Sequence, residues 1–243
     1  VDLSYPLEGP GHLTAVPAVW DLTPEQRRQI GYGRPVSVNP PPGRDLGGYA
    51  ARVRSMAPAG NELRDRDREL AELRAFCESD EPYLLWQGEP WSGKTALMSA
   101  FVLDPPPGIR VAAYFAAHHL GRQDPFDQVV GEQLAAIADE PPATDGFHRH
   151  LENAAERCRH AGERLVLVVD GLDEDPGIAL RLPRNPPAGA GVLVSSRPRP
   201  GLHPRLPADH PLRSCRVRTL TPTPYAARLE VQARNELTLW LRD

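Results

Sequence analysis

Eight consecutive residues, Gly88-Glu89-Pro90-Trp91-Ser92-Gly93-Lys94-Thr95, constrain this chain more than any other feature. They fit the pattern G-x-x-x-x-G-K-[ST], and their flanks supply the context that the pattern requires. The apolar run Tyr83-Leu84-Leu85-Trp86-Gln87 before them reads as a strand, and Thr95 to Phe101 after them reads as a helix. Glycines let the backbone curl until successive N–H groups converge on phosphate oxygens, and the start of a helix adds its positive end. Lys94 would reach the outer phosphates as a compact charge, and the Thr95 hydroxyl would ligate Mg²⁺. The residues expected to hold phosphates are therefore Gly88, Glu89, Pro90, Trp91, Ser92, Gly93, Lys94, Thr95 and Ala96. Trp91 is an odd choice for such a loop and fits two roles, covering a nucleotide or packing on the N-terminal arm.

Composition sharpens this reading at one point. Lys94 is the single lysine among 28 basic residues, so the other 27 are arginine. An Arg-, Ala- and Pro-heavy chain of this kind suits a GC-rich bacterial genome, in which surface lysines have drifted to arginine. The surviving lysine is then expected where a planar guanidinium cannot replace a compact ammonium.

The remaining chain organises itself around the loop. Residues 1–60 hold 9 Pro and 8 Gly and read as a wrapping arm or linker, with one helix-like stretch from Thr23 to Ile30. From 61 onward Leu70, Leu73 and Cys77 recur at helical spacing, and the folded core, 61–222, begins there. Arg110 to Phe115 reads as a strand, followed by a helix with Phe126, Val129, Val130, Leu134 and Ile137 on one side. A further helix carries Phe147, Leu151, Ala154, Ala155 and Cys158 and ends near Gly162. The runs Leu165 to Val169, Gly191 to Ser195 and Cys215 to Leu220 complete about five strands. Strands alternating with helices predict a three-layer α/β domain with a mainly parallel sheet. Residues 223–243 read as the start of a following helical region whose Trp240 and Leu241 need something to pack on, so a longer parent protein is expected.

The strand Leu165 to Val169 runs into Asp170-Gly171-Leu172-Asp173-Glu174, about 75 residues beyond the loop. Carboxylates at the carboxyl end of a buried parallel strand face the crevice where ligands bind in such sheets. Asp170 is the expected Mg²⁺ partner, and Asp173 or Glu174 could polarise an attacking water. The next strand ends in Ser195-Ser196-Arg197-Pro198-Arg199, where Arg197 is placed to sense a terminal phosphate or to stabilise charge as it transfers. Arg199, Arg181 and Arg184 are weaker candidates for that role.

Val166 to Glu174, with four hydrophobic residues, Asp, a small residue, a hydrophobic one, Asp and Glu, resembles the Walker B signature of NACHT-type ATPases. These belong to the STAND class of signal-transducing P-loop NTPases. Leu63 to Leu70 also resembles that class's upstream Gly-Arg-Glu motif, from which it departs at Arg64 and Asp65. The resemblance implies ATP and Mg²⁺ as ligands, a contact near the adenine from the segment bearing Arg66, and slow hydrolysis serving as a conformational switch. It also implies other domains of the parent protein as partners, with self-association on activation.

Several classes are disfavoured. Guanine recognition through Asn-Lys-x-Asp or Thr-Lys-x-Asp needs a second lysine, which the chain lacks. A P-loop kinase would share the loop but has no call for Asp-Gly-Leu-Asp-Glu. A nucleotide-binding scaffold that never hydrolyses is one alternative, and the P-loop kinase stays as the other. A net charge of −4 gives no basic surcharge for nucleic acid. No apolar run is long enough for a bilayer, and no secretory layout opens the chain, so a cytoplasmic location is expected. The scattered Cys77, Cys158 and Cys215 suit neither a disulfide framework nor a metal knuckle. His118 and His119, like His148 and His150, are spaced so that each pair diverges, which argues against a metal site.

Overall fold

The apolar runs become the strands of one sheet. In the computed structural model, which describes residues 46–58, 63, 65–116, 125–143, 146–199 and 201–223, they are β1 (Tyr83–Gln87), β2 (Ile109–Phe115), β3 (Arg164–Asp170), β4 (Ala190–Ser196) and β5 (Arg216–Thr219). Their order is β2-β3-β4-β1-β5, and every pairing is parallel. Parallel neighbours need crossovers; α-helices furnish those from β1 to β2 and from β2 to β3, and short 3-10 turns at Pro176–Leu180 and Pro211–Arg213 lie in the two that follow. The helices are α1 (Tyr49–Met56), α2 (Asp67–Glu78), α3 (Lys94–Leu103), α4 (Phe126–Ala138) and α5 (Phe147–His160).

Side chains alternate across a strand, so each buried strand feeds two cores. Tyr83 and Leu85 of β1, with Leu165, Leu167 and Val169 of β3, pack against Phe126, Val130 and Leu134 of α4 and Leu151 of α5. Leu84 and Trp86, with Val166 and Val168, pack on the opposite side against Val53 of α1, Phe76 of α2 and Leu97 and Phe101 of α3. The result is a three-layer α/β domain of the P-loop NTPase type, as the alternating pattern predicts. Helix α1 falls inside the stretch that reads as a Pro/Gly arm. The expected helix from Thr23 to Ile30 and the tail from Pro224 lie outside the described residues.

An edge strand leaves N–H and C=O groups open to pairing with other chains. On β2 they are taken by side chains. Ala113 N–H donates to Gln133 Oε1 over 2.8 Å, and Gln133 Nε2 donates back to Ala113 O over 2.9 Å. Two residues on, Phe115 N–H donates to the Tyr49 hydroxyl oxygen over 2.8 Å. Gln133 is thus a buried polar residue on the apolar side of α4, and Tyr49 is how α1 secures the strand end beside Asp170.

Candidate nucleotide-binding site

The loop leaves β1 at Gly88, whose N–H donates to Ser196 O over 3.2 Å. Only glycine fits here, because a Cβ would lie 2.5 Å from Ser92 Oγ and 2.6 Å from Leu220 O. Gly93, with φ +90°, turns the chain into α3, another position that disfavours any side chain. Between them Trp91 takes a left-handed φ of 67° and is 82% exposed. An aromatic residue is uncommon in that conformation, and its ring is turned to solvent. Lys94 Nζ donates to Gly88 O over 2.6 Å and to Glu89 O over 3.0 Å, so the ammonium lies over the loop's own curl. Partial burial lowers its pKa from the ordinary lysine value, against the opposing pull of Asp173 and Asp170.

Sheet order brings the acidic strand end to this loop. β4 lies between β1 and β3, so three strand tips meet at one edge. Thr95 at the start of α3 donates its hydroxyl to Asp170 Oδ2 over 2.7 Å. Ser195 donates to Asp170 Oδ1 and accepts Gly171 N–H over 3.2 Å. Asp170 is 4% exposed, and burial raises its pKa above the usual carboxylate value, offset in part by the two hydroxyls and by Lys94. A hydroxyl and a carboxylate in contact are hard oxygen donors of the kind Mg²⁺ prefers, so Thr95 and Asp170 fit the ion together. Ser195, at the tip of β4, thus holds Asp170 from the neighbouring strand.

The second acidic pair is engaged by the expected arginine. Asp173 Oδ1 accepts the Arg197 backbone N–H over 2.8 Å, and Asp173 Oδ2 lies 3.1 Å from Arg197 Nε. The same guanidinium reaches Glu174 Oε1 at 3.7 Å. The Asp173 side chain is nearly buried, whereas Arg197 is half-exposed and Glu174 partly so. Asp173 therefore anchors the tip of β4, and Glu174 is the more accessible carboxylate.

Arg66 sits immediately before α2 and is 4% exposed. Its Nη2 donates to Ser92 O over 2.6 Å and to Thr221 O over 2.7 Å, and its Nη1 pairs with Glu69 at 2.8 Å. Asp65 before it has φ 58°, the left-handed form, at the position where the resembled motif carries glycine. Aspartate tolerates that conformation better than most residues. Arg66 thus meets the back of the loop through a peptide carbonyl, a contact that spacing alone did not reveal.

The weaker candidates lie elsewhere. Arg181 pairs with Asp127, and Arg184 with exposed Asp209 at 4.0 Å. His150 is fully buried, accepting Ala143 N–H at Nε2 and facing Glu140 at 3.1 Å. Its role is to fasten the turn between α4 and α5. Among the described residues no group of three or more His, Cys, Asp or Glu could hold a metal ion, and no helix is long and apolar enough to cross a membrane. His118 and His119 lie outside the described residues.

No family model and no curated protein matches the chain. Among solved structures it is similar to Cdc6p from Pyrobaculum aerophilum, at 15% identity and a TM-score of 0.45, over 65% of this chain and 46% of that one. It is similar to a Walker-type ATPase of Pyrococcus abyssi at 13% identity and a TM-score of 0.40, over 67% and 57% of the two chains. A HORMA:CdnC:Trip13 complex of E. coli MS115-1 follows at 14% identity and a TM-score of 0.34, over 78% and 63%. The chain spans only 46% to 63% of the length of these solved chains. The chain's own sheet order, with its all-parallel pairing, and the glycine-bounded loop after β1 carry the fold assignment.

Proposed function

We propose that this domain binds ATP with Mg²⁺ and hydrolyses it slowly, as the nucleotide switch of a larger signalling or defence protein of the NACHT/STAND kind. The observation that carries the reading is the contact between Thr95 and Asp170, which unites the loop and the acidic strand end in one site. The absence of any lysine but Lys94 favours ATP over GTP, because the usual guanine-reading motifs need another.

The chain's own groups divide the work. Loop N–H groups and the start of α3 bind and orient the phosphates, and Lys94 turns from its loop carbonyls to the outer ones. Thr95 and Asp170 would hold Mg²⁺, which when bound neutralises charge on the phosphate oxygens. Glu174 accepts the proton of the attacking water. Asp173 positions Arg197, whose guanidinium stabilises the charge that develops on the transferred phosphoryl group.

Slow turnover has a physical reason in this scheme. Arg197 is shared between Asp173 and Glu174, so it must exchange carboxylate contacts for phosphate before Glu174 can turn to the attacking water. The same pairing favours a second reading, a scaffold that retains ATP without cleaving it. Phosphate release by the purified chain with ATP and with GTP separates them. Slow release from ATP alone supports the switch, ATP held without release supports the scaffold, and equal use of GTP contradicts both.

A further inference from the structure

We infer that Arg66 is a positioning residue for phosphate binding, which aims the Ser92–Gly93 peptide and ties the loop to the segment following β5. The inference rests on the nucleotide-binding reading of the loop.

In a trans peptide the C=O and N–H point in opposite directions. Arg66 Nη2 holds Ser92 O at 2.6 Å, so the Gly93 N–H is turned away from the guanidinium. It then lies beside the first N–H groups of α3, which have no partner within the helix and are the natural phosphate donors. The guanidinium packs closely behind, since a Cβ on Gly93 would be 3.5 Å from Nη2. Arg66 therefore fixes which way a phosphate-binding donor points while itself staying buried behind the loop.

The same nitrogen also holds Thr221 O at 2.7 Å, a residue 155 positions away in sequence. That segment is stitched to the loop at two further points. Leu220 N–H donates to Gln87 O over 2.6 Å, and Leu220 O lies against Gly88 so tightly that no Cβ would fit. A loop that shifts on gripping phosphate thus pulls on residues 220–223, where the chain leaves the sheet. A lysine has one point charge and cannot reproduce a planar fork that serves three acceptors.

The test titrates the full chain and its Arg66→Lys and Arg66→Ala variants with Mg²⁺-ATP and with Mg²⁺-tripolyphosphate, which has no base. Melting temperatures are recorded alongside. The expected result is a loss of about tenfold or more in affinity, equal for the two ligands. A loss for ATP with tripolyphosphate unchanged would make Arg66 a base contact and overturn the inference. A merely structural Arg66 would lower the melting temperature and leave the affinity of the folded protein as it was, which also overturns it. Hydrogen exchange on the wild-type chain keeps the test open should Arg66→Ala fail to fold. Tripolyphosphate is expected to slow exchange at the amides of Leu220, Thr221 and Thr223, and unchanged exchange contradicts the coupling. If the wild-type chain binds neither ligand, the loop reading itself fails and takes the inference with it; wild-type binding without an Arg66 effect sinks the inference alone.

Discussion

Thr95 donates its hydroxyl to Asp170 Oδ2 across 2.7 Å, although 75 residues separate the two in sequence. Thr95 opens α3 and Asp170 closes β3, so the contact exists only because the sheet order sets their ends at one edge. Ser195 holds the other carboxylate oxygen. A hydroxyl and a carboxylate are thereby presented together, as two hard oxygen donors for a cation.

Asp170 is expected to trade stability for binding. Burial holds its carboxyl above the ordinary 3.8. In the window between 3.8 and that raised value the folded chain keeps a proton that the unfolded chain has released. Stability therefore falls as pH rises through the window, because the buried charge is a cost to the fold. Asp170→Asn removes the charge and should melt at or above the wild-type temperature at pH 7, by about 2–4 °C for each kcal/mol relieved. Its affinity for Mg²⁺-ATP should collapse. Calorimetry showing a lower melting temperature would contradict this account of the buried charge.

Arg197 and its carboxylates should separate binding from turnover. Arg197→Ala is expected to keep ATP affinity within a few-fold while phosphate release falls about 100-fold, the scale of losing one preorganised donor. Glu174→Gln should do the same through loss of the base. Asp173→Asn keeps an acceptor for the Arg197 backbone N–H and is expected to lose less. Wild-type turnover in Arg197→Ala would remove the arginine from the chemistry.

Gln133 should protect the sheet edge. Gln133→Leu leaves Ala113 N–H and C=O without their side-chain partner, at about 1–3 kcal/mol for each buried group left unpaired. The exposed strand should also associate with other chains. Urea midpoints and light scattering check the two effects, and an unchanged midpoint would show that the pair contributes nothing.

His150 should matter to folding and not to nucleotide. Its ring joins Ala143 and Glu140, and Asn153 donates to the same carboxylate over 2.6 Å. His150→Leu is expected to lose about 1–3 kcal/mol while ATP affinity stays as in the wild type. A variant that folds normally but binds ATP less well would show the turn to be coupled to the site.

The central strands were legible in the sequence because they are buried on both faces, and such strands can only be short continuous apolar runs. Val166 to Val169 and Val192 to Val194 are of this kind, and their ends carry the site. Helix α1 was hidden because Gly47 and Gly48 precede it, Pro58 follows it and Val53 is its one fully buried residue. Punctuation of that density reads as a linker.

Within the site, the meeting of the loop with Asp170 was legible because both follow buried parallel strands, whose carboxyl ends share one edge. The contacts of Arg66 were not, because its acceptors are main-chain carbonyls of Ser92 and Thr221, and a carbonyl leaves no mark in a sequence. Ser195 shows the same limit. Its position at the tip of β4 is readable, but which way its hydroxyl turns depends on β3 lying alongside.

The measurement that bears most directly on the account is calorimetric titration of the purified chain with ATP in the presence of Mg²⁺, compared with Lys94→Ala. Lys94 is the one lysine in the chain, and no arginine could replace it over the carbonyls of Gly88 and Glu89. The account predicts saturable ATP binding by the wild-type chain, weakened about 100-fold or more in the variant, with both proteins folded. Equal affinity in the two proteins, or none in the wild type, would contradict it.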